Sequence, residues 1–332
     1  MFCPAGAVAG RGRSGGRSGQ ASPCRRREPR LRGGGLARAI LDDESGQFAL
    51  RAITRNPSSK AAVALAERGA EVVEADLDEA ATVDRAFEGA YGAFLVTNYW
   101  EHFSVEREQG QARNMAEAAH RAGLAHVIWS TLEDTRRWMS LDDDRMPTLK
   151  EKYKVPHLDG KGEVDARVVE VCVPTTFLHT CFYWENLITS GLGPRRGEDG
   201  RLVFNLPMQD KKLPGIAAED IGRCAYGIFC QGSEWIGERL GVSGEHLTGA
   251  EMAAALTSAL GEEVRYNALP FEVFRGFDFP GADDLGNMFQ FKADFTADYR
   301  GLRDVDRART LEPRLQTFAD WLAENASKIP LS

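Results

Sequence analysis

An α/β fold, with a Rossmann-type doubly wound parallel sheet and a second, smaller α/β domain, is what three observations in the sequence predict. From residue 48 onward, apolar strand-like runs alternate with amphipathic helical stretches, which is the pattern of βαβ units. The glycines at 33–35 open a helical pattern with Leu36, Ile40 and Leu41 on one face, as a glycine-rich turn does where it feeds a helix. After about residue 190 the turn-rich "GLGPRRGEDG" breaks the alternation and shorter elements follow.

Each element has its own signal. "FALRAIT" (48–54) reads as a strand, and "SSKAAVALAERGA" (58–70) as a helix that ends at Gly69. "AEVVEAD" (70–76) is the next strand, with a helix over 79–88 behind it. "YGAFLVTN" (91–98) is a continuous apolar run, as expected of a strand buried on both faces. A helix over 104–122 precedes the strand "HVIWST" (126–131), and a helix at 160–171 precedes a strand near "PTTFLHT" (174–180). Right-handed crossovers then put helices on both faces of the sheet. Residues 139–156 are polar and charged and read as a mobile loop. In the smaller domain, helices are expected at 217–230, 247–261 and 315–326, and a strand at 263–269, with Thr248 as an N-cap. The boundaries are 33–190 for the first domain and 191–332 for the second.

Composition narrows the class. With 332 residues, 43% of them hydrophobic, the chain can fill a large core. A formal charge of −8 and a pI near 5.4 argue against nucleic acid as a direct partner. Mean hydropathy is −0.35, and no apolar run approaches a membrane span. The six cysteines form no C-x-x-C pair and suggest no metal site; their scatter fits a reducing, cytoplasmic setting.

Residues 1–32 stand apart: Arg, Gly, Ser, Pro and Ala with one acid, Glu28, and almost nothing to bury. Such a segment cannot offset its ordering entropy and reads as disordered. It fits a transit peptide without an amphipathic face, a basic tail for an acidic partner, or an out-of-frame stretch that re-enters frame near Gly33. The last is favoured, because the segment occupies the place where a first strand is needed and that strand is missing. A glycine fingerprint of the spacing G-x-x-G-x-x-G ending at Gly33 would also want glycines at 27 and 30, which hold Arg27 and Arg30.

Several residues stand at strand ends, where doubly wound folds bind ligands. Arg55 ends the strand 48–54; an arginine there suits the 2′-phosphate of NADP, whereas an acid would favour NAD. Asp76 and Leu77 follow the strand 70–75, and Thr97 and Asn98 end the strand 91–96. Each of these also suits a helix cap or a surface turn. Short-chain dehydrogenases use a Ser after the strand that "STLED" (130–134) follows, and a Tyr four residues before a Lys. Here Ser130, Thr131 and Lys161 stand in order, but the fourth residue before Lys161 is His157. A histidine can move protons near neutral pH, which makes His157 and Lys161 the catalytic candidates; the bland alternative has Lys161 only binding cofactor and His157 lining the pocket. "GKG" at 160–162 is no P-loop, since Ser or Thr is lacking at 162. Phe182, Tyr183, Trp184 and Glu185 follow another strand end, where aromatics either cover a nicotinamide or belong to the core.

Taken together, "ITRNPSSKAA", "VTNYWE", "HLDGKGEV", "WENL" and "FPGADDLGNMFQF" resemble the NmrA-like family of atypical short-chain dehydrogenase relatives, from about Gly33 to the C-terminus. The resemblance implies a Rossmann domain that binds NADP(H), with a smaller domain beside it. It matches Arg55 to the adenosine phosphate, Asp76 and Leu77 to the adenine side, Thr97 to the nicotinamide ribose, Lys161 to the cofactor-binding lysine and the backbone of 182–185 to the nicotinamide. Of the family's glycine pattern only the last glycine, Gly33, is recognisable. The family includes redox-sensing regulators that lack the dehydrogenase tyrosine, and reductases of quinones or small aromatics that use a lysine. A redox-sensing regulator with weak or no turnover and a regulatory protein partner is the first expectation. An NADPH-dependent reductase of a quinone, enone or small aromatic is the second, and a cofactor-free interaction protein the third.

Overall fold

The computed structural model describes residues 6–11 and 32–331. In chain order the first half runs β1 (Gly6–Arg11), α1 (Arg32–Asp42), β2 (Phe48–Thr54), α2 (Lys60–Glu67), β3 (Glu71–Glu74), α3 (Ala80–Phe87), β4 (Gly92–Leu95), α4 (Val105–Arg121), β5 (His126–Thr131), α5 (Pro156–Glu170) and β6 (Thr175–His179). The chain continues through β7 (Phe182–Tyr183), α6 (Asn186–Thr189), β8 (Arg195–Arg196), β9 (Leu202–Asn205), β10 (Leu213–Ile216), α7 (Ala218–Gln231), β11 (Arg239–Gly241) and β12 (Glu245–Leu247). It closes with α8 (Gly249–Leu260), β13 (Val264–Asn267), α9 (Phe271–Arg275), α10 (Ala282–Asp294), α11 (Thr296–Leu302), α12 (Val305–Leu311) and α13 (Phe318–Asn325).

Seven strands form the main sheet in the order β11-β6-β5-β4-β1-β2-β3. All run parallel except β1, which pairs antiparallel with β2 on one side and β4 on the other. β4 and β5 are buried along their whole length, as their uninterrupted sequence patterns require. On one face, α1 and α7 contribute Leu36, Ile40, Ile221 and Ile228 to a core with Phe94, Ile128 and Leu178. On the other, α3, α4 and α5 contribute Phe87, Met115 and Val164 around Leu95, Trp129 and Phe177. A third core gathers Phe204, Leu256, Phe289, Phe318 and Trp321 from the elements after β6.

The missing first strand is corrected by this topology. Gly6–Arg11 fills the slot between β2 and β4, so for these six residues the expectation of disorder is corrected as well; residues 12–31 lie outside the described part. An empty central slot would leave ladder donors and acceptors unpaired on both flanking strands, and the uncharged run 6–10 satisfies them. The direction is reversed, however. Arg11 sits opposite Phe48, the start of β2, and Gly6 opposite Ile53. The strand therefore ends at the edge of the sheet remote from the C-terminal ends of its neighbours, and no tight turn can join it to α1. Gly35 of α1 serves packing: a Cβ there would stand 2.2 Å from the Glu219 carbonyl oxygen, and one on Gly222 of α7 would stand 2.0 Å from the Leu36 nitrogen. They let α1 and α7 cross at backbone contact.

Two other expectations shift. The segment 139–156, read as a mobile loop, is packed: Met139, Tyr153 and Val155 are fully buried, and Lys154 donates to the carbonyls of Asp143 and Met146. The helix expected from 160 begins four residues earlier with Pro156, a residue suited to a first helical turn. That extension puts His157 and Lys161 on one helix, a single turn apart. Among the described residues, no helix is long and apolar enough to cross a membrane.

Candidate functional site

The C-terminal ends of β2, β3 and β4 enclose a narrow cleft lined by Arg55, Asp76, Leu77, Asn98, Glu101 and Gln111. Four of the residues singled out in the sequence thus meet in one place. Its enclosed part measures about 30 Å³, room for about one water, because the half-exposed Arg55 guanidinium reaches across to the Glu101 carboxylate. Asp76 receives the backbone N–H of Asp78 at 3.0 Å, and the Leu77 carbonyl accepts from Asn114 Nδ2 at 2.8 Å. Those bonds fix the turn after β3.

Thr97 sits one residue deeper and is buried. Its Oγ1 donates to Glu108 Oε1 at 2.7 Å and accepts from Lys161 Nζ. Lys161 and Glu108 form an ion pair at 3.1 Å, with side-chain exposures of 4% and 1%. The ammonium also lies 5.2 Å from the centre of the Trp129 ring. Gly162, the next residue but one to Gly160, would strike the Asp134 backbone nitrogen at 2.6 Å if it carried a Cβ, so this glycine brings α5 close to the loop after β5.

His157, one turn before Lys161, is buried and held by a carboxylate from α10. Its Nδ1 lies 2.6 Å from Asp284 Oδ1, and its backbone N–H donates to Asp284 Oδ2 at 3.2 Å. The Trp100 ring centre is 4.8 Å from the imidazole. With Asp284 ionised, Nδ1 is the protonated nitrogen and Nε2 is left for exchange.

Elsewhere the structure redistributes the candidates. Thr131 Oγ1 donates to Asp165 at 2.6 Å and so serves the packing of β5 on α5. Ser130 Oγ is buried with no partner among the described residues. Phe182 and Trp184 belong to the third core, and the Tyr183 hydroxyl shares a 2.7 Å hydrogen bond with Thr180. Glu185 accepts the Ala218 N–H at the start of α7 and the Trp321 indole N–H, and burial pushes its carboxyl pKa up. The side chains of Phe182, Trp184 and Glu185 are therefore spent on the core and on capping; their backbone alone stays near the sheet edge. Gly33 is the second residue of α1.

Comparison with known proteins agrees with this architecture. A family model described as the NmrA-like family matches residues 31–322. The chain belongs to the NmrA-like family. It is 30% identical over 280 residues to the NmrA-like family domain-containing oxidoreductase FrzB of a Cladobotryum species, covering 78% of this chain and 80% of the relative. Among solved structures, NmrA, a negative transcriptional regulator, in complex with NADP superposes with a TM-score of 0.72 at 22% identity, over 89% of this chain and 92% of that one. The triphenylmethane reductase of a Citrobacter species, complexed with NADP(H), gives 0.67 at 18% identity, over 88% and 95%.

Two members of the site were missed in this chain's sequence, and both had a signal. Glu108 falls with Val105, Ala112, Met115 and Ala119 on the buried face of α4, where a carboxylate is out of place unless paired. Asp284 stands on the buried face of α10 with Met288 and Phe291. A charged residue in register with an apolar stripe marked each of them.

Proposed function

We propose that the chain binds NADP(H) along the C-terminal edge of the main sheet and is an NADPH-dependent reductase of a small aromatic or quinone substrate. The observation that carries the reading is the buried His157–Asp284 pair one turn before Lys161. The donors fit the two ends of such a cofactor. Arg55 would hold the 2′-phosphate after parting from Glu101, Asp76 and Leu77 the adenine, and Thr97, Asn98 and Lys161 the nicotinamide ribose. The backbone at 182–185 would flank the nicotinamide, and the first turn of α1, with Gly33, the pyrophosphate. The chemistry NADPH supplies when bound is hydride donation. Asp284 accepts the Nδ1–H and would stabilise the doubly protonated imidazolium, whose Nε2–H gives its proton to the substrate oxygen and leaves the neutral Nδ1–H tautomer. Lys161, neutralised by Glu108, orients and does not transfer.

A redox-sensing regulator that binds the same nucleotide without turnover is the second reading. The position four residues before Lys161 favours it, since it holds His157 where short-chain dehydrogenases have their tyrosine, while the lysine itself is kept.

Titration with NADPH and NADH, followed by nucleotide fluorescence, tests the shared part, with tighter NADPH binding expected. NADPH consumption with a naphthoquinone then separates the readings. For the reductase, His157→Gln lowers the rate by about 10²–10⁴-fold with NADPH affinity kept. Binding without consumption by the wild type leaves the regulator.

A further inference from the structure

A second polar cluster lies beyond Lys161 along the same edge, where β5 and β6 end. Glu133 follows β5, His179 ends β6, and Lys292, Tyr299 and Arg303 come from α10, α11 and the turn after it. Arg303 is fully buried; it binds Glu133 through both terminal nitrogens and donates twice to the Thr180 carbonyl, at 2.7 and 2.9 Å. That pair is electrically closed. The groups around it are not. Lys292 is 5% exposed, and among the described residues its ammonium meets the Met288 sulfur, at 3.2 Å, and the Tyr299 and Phe289 rings, at 5.2 and 5.9 Å. The Tyr299 hydroxyl and both ring nitrogens of His179 are buried without a hydrogen-bond partner among the described residues. Glu133, the carboxylate nearest His179 at 3.9 Å, is already committed to Arg303.

Buried polar groups without partners are rare, and each is costly. Several in one cluster, beyond the C-terminal ends of β5 and β6, point to a receptor rather than a packing fault. The sum of charges gives its sign. Arg303 and Glu133 cancel; burial holds His179 neutral by pushing its pKa down to about 4, and holds the Cys181 thiol neutral by pushing its pKa up to about 12. Burial and the Arg303 charge push Lys292 down to about 7, so one proton is poised there, and Glu133, the carboxylate that favours it, is committed to Arg303. Position gives the role. Asp284, Met288 and Lys292 recur every fourth residue on one face of α10, which sets the amine about 12 Å along the helix from the carboxylate that holds His157.

We propose that Lys292, Tyr299 and His179 form a receptor for an anionic oxygen, carboxylate or phenolate, carried by a small aromatic substrate. This rests on reading the sheet edge as a substrate site. It adds a substrate class: acidic aromatics, anchored by the oxygen at the ends of β5 and β6.

Thermal melting at pH 7 with increasing sodium benzoate tests it, with benzyl alcohol as the neutral counterpart. The wild type shows a saturable rise in Tm with benzoate and none with benzyl alcohol. Lys292→Met melts higher than the wild type without benzoate, because an unpaired amine has been replaced by an apolar chain of similar length, and its response needs at least tenfold more benzoate. Tyr299→Phe removes an oxygen that has no partner, so it keeps the wild-type Tm and weakens benzoate several-fold; Lys328→Ala, on the exposed surface, changes neither. An equal benzoate response in wild type and Lys292→Met, no response at all, or a lower Tm in Lys292→Met overturns the receptor. The reductase reading fails separately, by absence of NADPH consumption in a protein that still answers to benzoate.

Discussion

Lys161 and Lys292 are both buried, both near the C-terminal edge of the sheet, and opposite in their surroundings. Lys161 has a carboxylate at 3.1 Å and a threonine hydroxyl; Lys292 has a thioether and aromatic rings. The first amine is charged because its environment includes the counter-charge. The second gives up its charge easily because its environment does not. An interior thus holds the same side chain for two purposes, fixed position in one place and readiness for a ligand in the other.

Breaking the closed pair has the largest effect. Glu108→Gln keeps the shape and removes the counter-charge, stranding the Lys161 ammonium in the interior at a cost of about 3–5 kcal/mol. Urea unfolding should show that loss, and the double change Glu108→Leu with Lys161→Met should recover most of it. A double variant no more stable than Glu108→Gln would mean that the pair is held by more than its charges.

For Lys292 the comparison is sharpened by pH. Its pKa is lowered from the ordinary 10.5 to about 7, so between those values the unfolded chain carries a proton that the folded chain lacks. Folding is therefore penalised fully below pH 7, and the penalty fades as pH rises toward 10.5. The stability of the wild type relative to Lys292→Met should climb by a few kcal/mol across that window. Subtracting the variant cancels the buried thiol Cys224, whose raised pKa acts in the opposite direction above pH 9; Cys181 interacts with Lys292 itself, so the comparison is made below pH 9. A flat difference would place a hidden counter-charge beside Lys292.

What the sequence revealed follows the same division between local and assembled features. Strands such as 126–131 and helices such as 249–260, with its Thr248 cap and Glu251 capping box, were legible because periodicity and caps are written within a few residues. Arg55, Asp76, Leu77 and Asn98 were legible as neighbours because strand ends in a parallel sheet converge by topology. The reversed β1 was not. A run of Gly, Ala and Val has weak strand preference, and only the vacancy between β2 and β4 calls it into place. The partners Glu108 and Asp284 needed the fold to show which side chain each buried face opposes. For the aromatics at 182–185 the sequence left cover of a nicotinamide and burial in the core both open, because a strand end does not say which way a side chain turns; Phe182 and Trp184 turn into the third core.

The smallest effect belongs to the third cation of the edge, Arg55, whose pair with Glu101 is about half exposed. Water and salt screen such a pair, so Glu101→Gln should change stability by no more than about 1 kcal/mol. Its consequence is in binding. With Glu101 neutral, Arg55 no longer has to exchange a carboxylate for a phosphate, and the cleft it closes is opened. On the proposed function, NADPH affinity should rise several-fold while NADH, lacking the 2′-phosphate, changes little, and the difference should shrink at high salt. Equal gains for both nucleotides would show that Glu101 obstructs the adenine end sterically and that Arg55 does not read the phosphate.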